Sequence, residues 1–328
     1  MIFVRWAAVV AISGVCGSGC GSAAGGSTPN NTSGVQGDSG AQVGVDGDAA
    51  SDEADATSDA EVPTVVTLTM DSFSVPAGGE LYKCQNFANP FGGQQVDIKT
   101  YELAMNAGSH HMILFYSQGV TDGPVVDCPQ GGLQTGPFTF GAQSRNVTQT
   151  YPEGVGATIP GDMGFMLNAH YVNPGSTAIQ SAVKVTMFVA APGSVTQHAG
   201  VLQYILTSIS IPPTGQPVTA TGSCAQTQDM NLLWTSSHMH QGATNFIATS
   251  GGTTLFQTDQ WSDPPTATFS PPLLLKAGAD ITWSCTYVND TGSTLTFGES
   301  ALTNVMCNSG STFYPVQDVS NPVVQCLQ

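Results

Sequence analysis

Histidine is scarce in this chain of 328 residues: there are six, and five of them fall in three short segments. His238 and His240 lie in NLLWTSSHMHQG, His110 and His111 in HHMILF, and His170 in GFMLNAHYVNP. Imidazole is the commonest side-chain ligand for transition metals, so segments of this kind suggest metal binding. Residues two apart on a strand point to the same face, so His238 and His240 can reach one ion, with Ser236 and Trp234 on that face before them. Solvent-facing or hydrogen-bonded rings would explain the pair equally well. His110 and His111 are adjacent, and a regular strand sends them to opposite sides. Joint ligation then needs a bulge, a strand end, or binding through different ring nitrogens. His170 alternates with Asn168 and Met166, leaving Tyr171, Ala169 and Leu167 on the other face. A lone strand histidine is more often structural than a ligand, and His198 reads as structural on the same ground.

Met306 precedes Cys307 in TNVMCNS. On a strand the thioether and the sulfur face opposite sides, so Met306 can look into a site while Cys307 closes a disulfide behind it. A single Met is more often plain core packing. Imidazoles combined with a thioether suit copper, above all Cu(I), better than zinc or hard cations. No Gly-x-Ser-x-Gly, phosphate-binding glycine loop or His-Glu-x-x-His competes with this reading. No Cys-x-x-Cys occurs among the body cysteines, which excludes zinc ribbons and thiol redox motifs.

The elements that must position these residues read as strands. TVVTLTM, GFMLNAHYV, AVKVTMFVA, LQYILTSISI and DITWSCTYV alternate with period two between Gly, Pro, Asn and Asp turns. Charged residues make up only 9%, against 38 Gly and 20 Pro, and no long amphipathic helix is legible. The expected fold is all-β, two packed antiparallel β-sandwich domains of jelly-roll-like form. They span 63–192 and 193–328 and meet near Ala191-Pro192-Gly193.

Residues 1–20 read as a signal peptide, Arg5 preceding an apolar run from Trp6 to Ile12, and are too short to span a bilayer. Gly-Ser-Gly before Cys20 suggests lipid attachment at Cys20, with plain secretion the alternative. Residues 21–62 are rich in Gly, Ser, Ala, Asn and Asp and read as a disordered acidic tether. A formal charge of −17 excludes nucleic acid as a partner. Eight cysteines leave six beyond the leader, an even number that suggests three disulfides and an exported, oxidising location.

Read in order, these segments resemble the copper type II, ascorbate-dependent monooxygenases, the family of peptidylglycine α-hydroxylating monooxygenase and dopamine β-monooxygenase. The resemblance runs from about Tyr82 to Cys326, through HHMILF at 110–115, PEGVG at 152–156 with LNAHYVNPG, ISIPP at 209–213, SHMHQG at 237–242 and VMCN at 305–308. It implies two coppers per chain. His110, His111 and His170 would hold an electron-transfer copper, and His238, His240 and Met306 the copper at which O2 reacts. It implies disulfides Cys84–Cys128, Cys224–Cys326 and Cys285–Cys307. The implied reaction hydroxylates a C–H bond of a small organic substrate with O2 and ascorbate or another reductant. Ser236, Asn308 and Tyr314 are the candidate substrate contacts. The peptide-amidating branch carries an arginine where this chain has Ser236, which cannot form a bidentate carboxylate clamp, so a peptide carboxylate is a poor substrate. Gly242 also follows the His-x-His pair one residue early. The competing expectation is a copper-binding or electron-transfer surface lipoprotein without catalysis.

Overall fold

Alternating apolar residues build strands with one face to a core, and among the described residues every regular element is a strand. The computed structural model describes residues 62–129 and 136–328. The leader, Cys20 and the tether up to residue 61 lie outside them. The all-β expectation holds.

The first sandwich packs two sheets. One carries Val65–Thr69, Val183–Val189, Val96–Met105, Val155–Ile159 and Gln197–His198 in that order, with Asn146–Thr150 also paired to Val96–Met105. The other carries Val126–Asp127, Glu80–Phe87, Met163–Val172, Ser109–Gln118 and Phe138–Ala142. Between them lie Ile98, Tyr101, Met112, Leu114, Phe165, Leu167, Tyr171 and Val185, all buried. Burying a side chain of this size contributes roughly 1.5–3 kcal/mol, so period-two patterning fixes which face each strand turns inward. Phe165, Leu167, Ala169 and Tyr171 take the core, which turns His170, with Asn168 and Met166, to the opposite face.

The second sandwich packs a sheet of Ala267–Leu275, Met230–Met239, Cys307–Tyr314, Gly200–Ile205 and Val323–Leu327 against one of Pro217–Ala225, Asp280–Val288, Ala243–Ser250 and Thr253–Thr258. Its core holds Leu202, Tyr204, Met230, Met239, Phe246, Trp283 and Phe313. Among the described residues no ladder joins the two sandwiches. The pairing changes sides between His198 and Gly200, shortly after the Ala191-Pro192-Gly193 joint. The chain turns there, Ser194 N donating to Ala191 O, and adds one more short strand to the first sandwich before leaving it.

Both sandwiches belong to one compact unit. A register shift between Leu232 and Trp234 turns Leu233 and Trp234 away from the second core and into the first. There Trp234 meets Tyr151 edge-on at 5.1 Å. Three disulfides close as Cys84–Cys128, Cys224–Cys326 and Cys285–Cys307, with Cα separations of 5.0, 6.3 and 5.7 Å. Bridges of this number are sustained in an oxidising, extracytoplasmic environment.

Candidate metal centre

The adjacent pair His110–His111 sits where the ladder is irregular. His111 pairs with His170 and Ser109 with Tyr171, so His110 is the extra residue of a β-bulge. A bulge re-aims one side chain, and here it turns both rings toward His170. Ring centroids lie 5.5 Å apart for His110–His111, 4.8 Å for His110–His170 and 5.0 Å for His111–His170. One ring nitrogen from each lies within 4.8 Å of the others, close enough to share an ion.

His238 and His240 arrive from the second sandwich. Ser309 and Asn308 stand across from Ser237 and His238, and Met239 faces the core opposite Cys307. His240 follows the strand in a turn closed by Ala243 N donating to His240 O. Gly242 has φ +88°, so its place one residue after Gln241 is what this turn needs. Their rings are 5.2 Å apart, and both approach the first trio: His110 is 5.0 Å from His238 and 5.6 Å from His240. His110, His238 and His240 also satisfy the 4.8 Å criterion. The two expected ligand sets are therefore neighbours, with His110 in reach of both.

Met306 is buried just before strand Cys307–Tyr314, while Cys307 joins Cys285 in the second core. The Tyr287 hydroxyl accepts from His240 N and donates to Met306 O (2.6 Å), tying the two residues together. Asn308 Nδ2 contacts Met306 Sδ at 3.5 Å.

The second nitrogen of most rings is held by protein. His170 Nε2 donates to Glu80 Oε1 (2.8 Å), which also accepts from Ala301 N, while Glu80 Oε2 accepts from Ser300 Oγ. His240 Nδ1 donates to Asn304 O at 3.3 Å, and His238 Nδ1 to Gln143 Oε1 at 3.0 Å. These bonds fix the tautomers and leave the opposite nitrogen's lone pair free, as metal-binding histidines require. Among the described residues His111 makes no such bond, and the nitrogen of His110 is contested. Gln143 Nε2 donates to the Trp261 carbonyl and faces His110 Nδ1 at 3.2 Å, so it competes for that nitrogen. The Trp261 carbonyl can only accept, which fixes this amide orientation.

Burial pushes His110, His111, His170 and His238 well below the usual histidine range, with neighbouring imidazoles adding to it. His240 is pushed down to about 3, again chiefly by burial and then by His238. All five are neutral at pH 7, and the Glu80 contact is a hydrogen bond from a neutral ring rather than a salt bridge. Tyr82 stacks on His170 at 3.8 Å and donates to Glu299 O. Its proton is held by burial and by Glu80.

His110 Nε2, His111 Nδ1, His170 Nδ1 and His240 Nε2 are buried without a hydrogen-bond partner. Leaving one such atom unsatisfied costs about 1–3 kcal/mol, so four in one cluster call for bound ligands. Neutral imidazoles beside a thioether form a soft donor set that fits copper.

Residues from both sandwiches strap the cluster. On one side Gln143 and Ser144 donate to the Trp261 and Pro264 carbonyls, and Arg145 pairs with Asp263 at 2.8 Å. On the other, Glu80 and Tyr82 grip residues 299–301. A cleft of about 740 Å³ opens beside the cluster, with His111, His238, Met306 and Asn308 in its wall. Ser236 also lines it, its hydroxyl donating to Pro265 O. Tyr314 does not, because six residues of extended strand carry it about 20 Å beyond Asn308, and it packs against the first core. His198 stands apart, 2.7 Å from Thr158 Oγ1 and 3.8 Å from Asp97.

Glu80, Tyr82, Gln143 and Trp261 escaped sequence reading. A carboxylate two residues before a tyrosine in ELYKC was the available signal for the first two, since both share a face with Cys84. Gln143 carries none, its histidine partners lying 33 and 95 positions away.

No family model and no curated protein matches the chain. Among solved structures it is similar to the major capsid protein P2 of bacteriophage PM2, at 8% identity and TM-score 0.33, covering 77% of this chain and 98% of that one. The PBSX exported protein XepA follows at 8% identity and TM-score 0.19, covering 75% and 86%. The VP2 subviral particle of infectious bursal disease virus gives 11% and 0.18, covering 78% and 73%. Similarities this low say nothing about function.

Proposed function

We propose that this chain is an exported copper-dependent monooxygenase, secreted or lipid-anchored at Cys20, that hydroxylates a C–H bond of a small organic substrate with O2 and an ascorbate-like reductant. The observation that carries the reading is the convergence of five neutral histidines, four with an unpartnered buried nitrogen, beside a cleft large enough for a substrate. His110, His111 and His170 would hold one copper, and His238, His240 and Met306 the other. Copper held there would supply one-electron transfer and O2 reduction. The protein's own part is separable from that chemistry. Glu80, Asn304 and Gln143 orient rings, Tyr82 covers His170, and the two straps keep bulk water from the cluster. A site for copper storage alone has no need of the adjoining cleft.

The test is metal analysis and ascorbate-driven O2 uptake on the full chain, with His240→Ala and Met306→Ala. Two coppers per chain and uptake lost in both variants are expected. Copper binding without any O2 uptake leaves only capture or electron transfer and overturns the enzyme. Full activity without Met306 overturns its role as a ligand.

A further inference from the structure

We propose that the cleft beside the histidine cluster selects an uncharged, elongated aromatic or apolar molecule and rejects both carboxylates and protonated amines. The inference deepens the reading above, because it takes that cleft to be the substrate site.

It rests first on which strand faces build the cleft. In Gly200–Ile205, Leu202 and Tyr204 enter the second core, so Val201, Gln203 and Ile205 turn outward to the cleft. In Val323–Leu327, Cys326 and Val324 turn to the core while Val323, Gln325 and Leu327 line the cleft. The outer face of this sheet is thus mixed, Val201, Ile205, Val323 and Leu327 standing beside the uncharged Gln203, Gln325, Thr235, Ser237, Ser309 and Ser311. Ile113, Phe115 and Phe138 of the first sandwich pack against Val201 and Val323 to form one apolar wall, the two phenyl rings meeting edge-on at 5.8 Å. Along strand Cys307–Tyr314 the cleft follows Asn308 to Thr312, a run of roughly 13 Å. It is therefore longer than one ring and ends at His111, His238 and Met306.

Charge decides the class of occupant. The chain carries 23 acidic residues, yet among the described residues no Asp, Glu, Lys or Arg lines this cleft. In the metal-free chain a buried ion finds no countercharge in this lining, and desolvating it goes uncompensated. Polar recognition is left to neutral groups: the amides of Gln203 and Gln325, which bond each other at 2.7 Å, the side chain of Asn308, and the hydroxyls of Thr235, Ser237, Ser309 and Ser311. The negative surface draws cations toward the molecule, but the cleft offers them no partner.

The test uses three probes sharing one skeleton: 3-phenylpropanamide, 3-phenylpropanoate and 3-phenylpropylammonium. Binding is measured by calorimetry at pH 7.5 on the full chain, metal-free and copper-loaded. The amide is expected to bind at least tenfold more tightly than either ion in the metal-free form, and than the ammonium in the copper-loaded form, where bound copper attracts the carboxylate. Gln203→Glu and Val201→Asp each place a carboxylate in the cleft and are expected to raise ammonium affinity at least tenfold while leaving the anion excluded. Gln203 is half-buried and its variant keeps the fold even where Val201→Asp does not. Equal binding of the three probes, or no binding by any, overturns the proposal. Neutral selectivity in a chain that binds no copper would sustain this inference while sinking the metal centre, so the two fail separately.

Discussion

Each ring of the cluster depends on the group behind it, and Glu80 bears the most. Its carboxylate accepts hydrogen bonds from His170 Nε2 and Ala301 N on one oxygen and from Ser300 Oγ on the other. The same loop continues to Asn304, whose carbonyl holds His240. One side chain thus positions a ring from each sandwich. Glu80→Gln keeps the size but replaces an anionic acceptor with a neutral amide, one half of which is a donor. Copper affinity is expected to fall about 10–100-fold, the usual effect of losing an outer-shell partner, with the fold retained. A chelator competition titration measures it, and an affinity within twofold of the parent would show that Glu80 does not support the site. Glu80→Ala should lose more, because it also cuts the loop loose.

Strand geometry sets how precisely those groups meet. Alternation made the faces of His170 and Met306 readable: four core residues flank the first, and a disulfide cysteine adjoins the second. The bulge at His110 was readable only as one of three ways to bring the adjacent pair together. Its cause is pairing with strand Met163–Val172, which period-two counting cannot see. The second register shift, which sends Trp234 into the neighbouring core, was not readable. The turn after His240 offers a direct test. A Cβ at Gly242 would sit 3.1 Å from Val288 O at φ +88°. Gly242→Ala should cost about 1–3 kcal/mol from backbone strain. Because Ala243 N closes the turn on His240 O, the variant should also weaken copper binding through His240. Guanidinium denaturation and copper titration read the two effects. A variant as stable as the parent would mean that the turn relaxes without strain.

At the scale of the molecule, the two ligand sets meet because contacts 118 to 221 positions apart strap one sandwich to the other. Such contacts leave no local pattern, so sequence reading kept the sets separate while naming their members. Convergence has a thermodynamic consequence in the metal-free chain. Unfolded histidine titrates near 6.5, whereas His240 in the fold titrates at about 3 and the other four well below the usual range. Between those limits the unfolded state binds more protons, so stability is full above pH 6.5 and falls as pH drops. The slope approaches about 1.4 kcal/mol per pH unit for each histidine still neutral in the fold. Five acting together can remove several kcal/mol per unit, against a total of about 5–15 kcal/mol for an ordinary protein. Metal-free protein is therefore expected to lose most of its stability between pH 6.5 and about 5, and guanidinium midpoints across that range would show it. Copper binds only the deprotonated rings of the folded state, so the loaded protein should hold its midpoint to lower pH. A metal-free midpoint unchanged from pH 7.5 to 5 would mean that the rings are hydrated and not clustered as described.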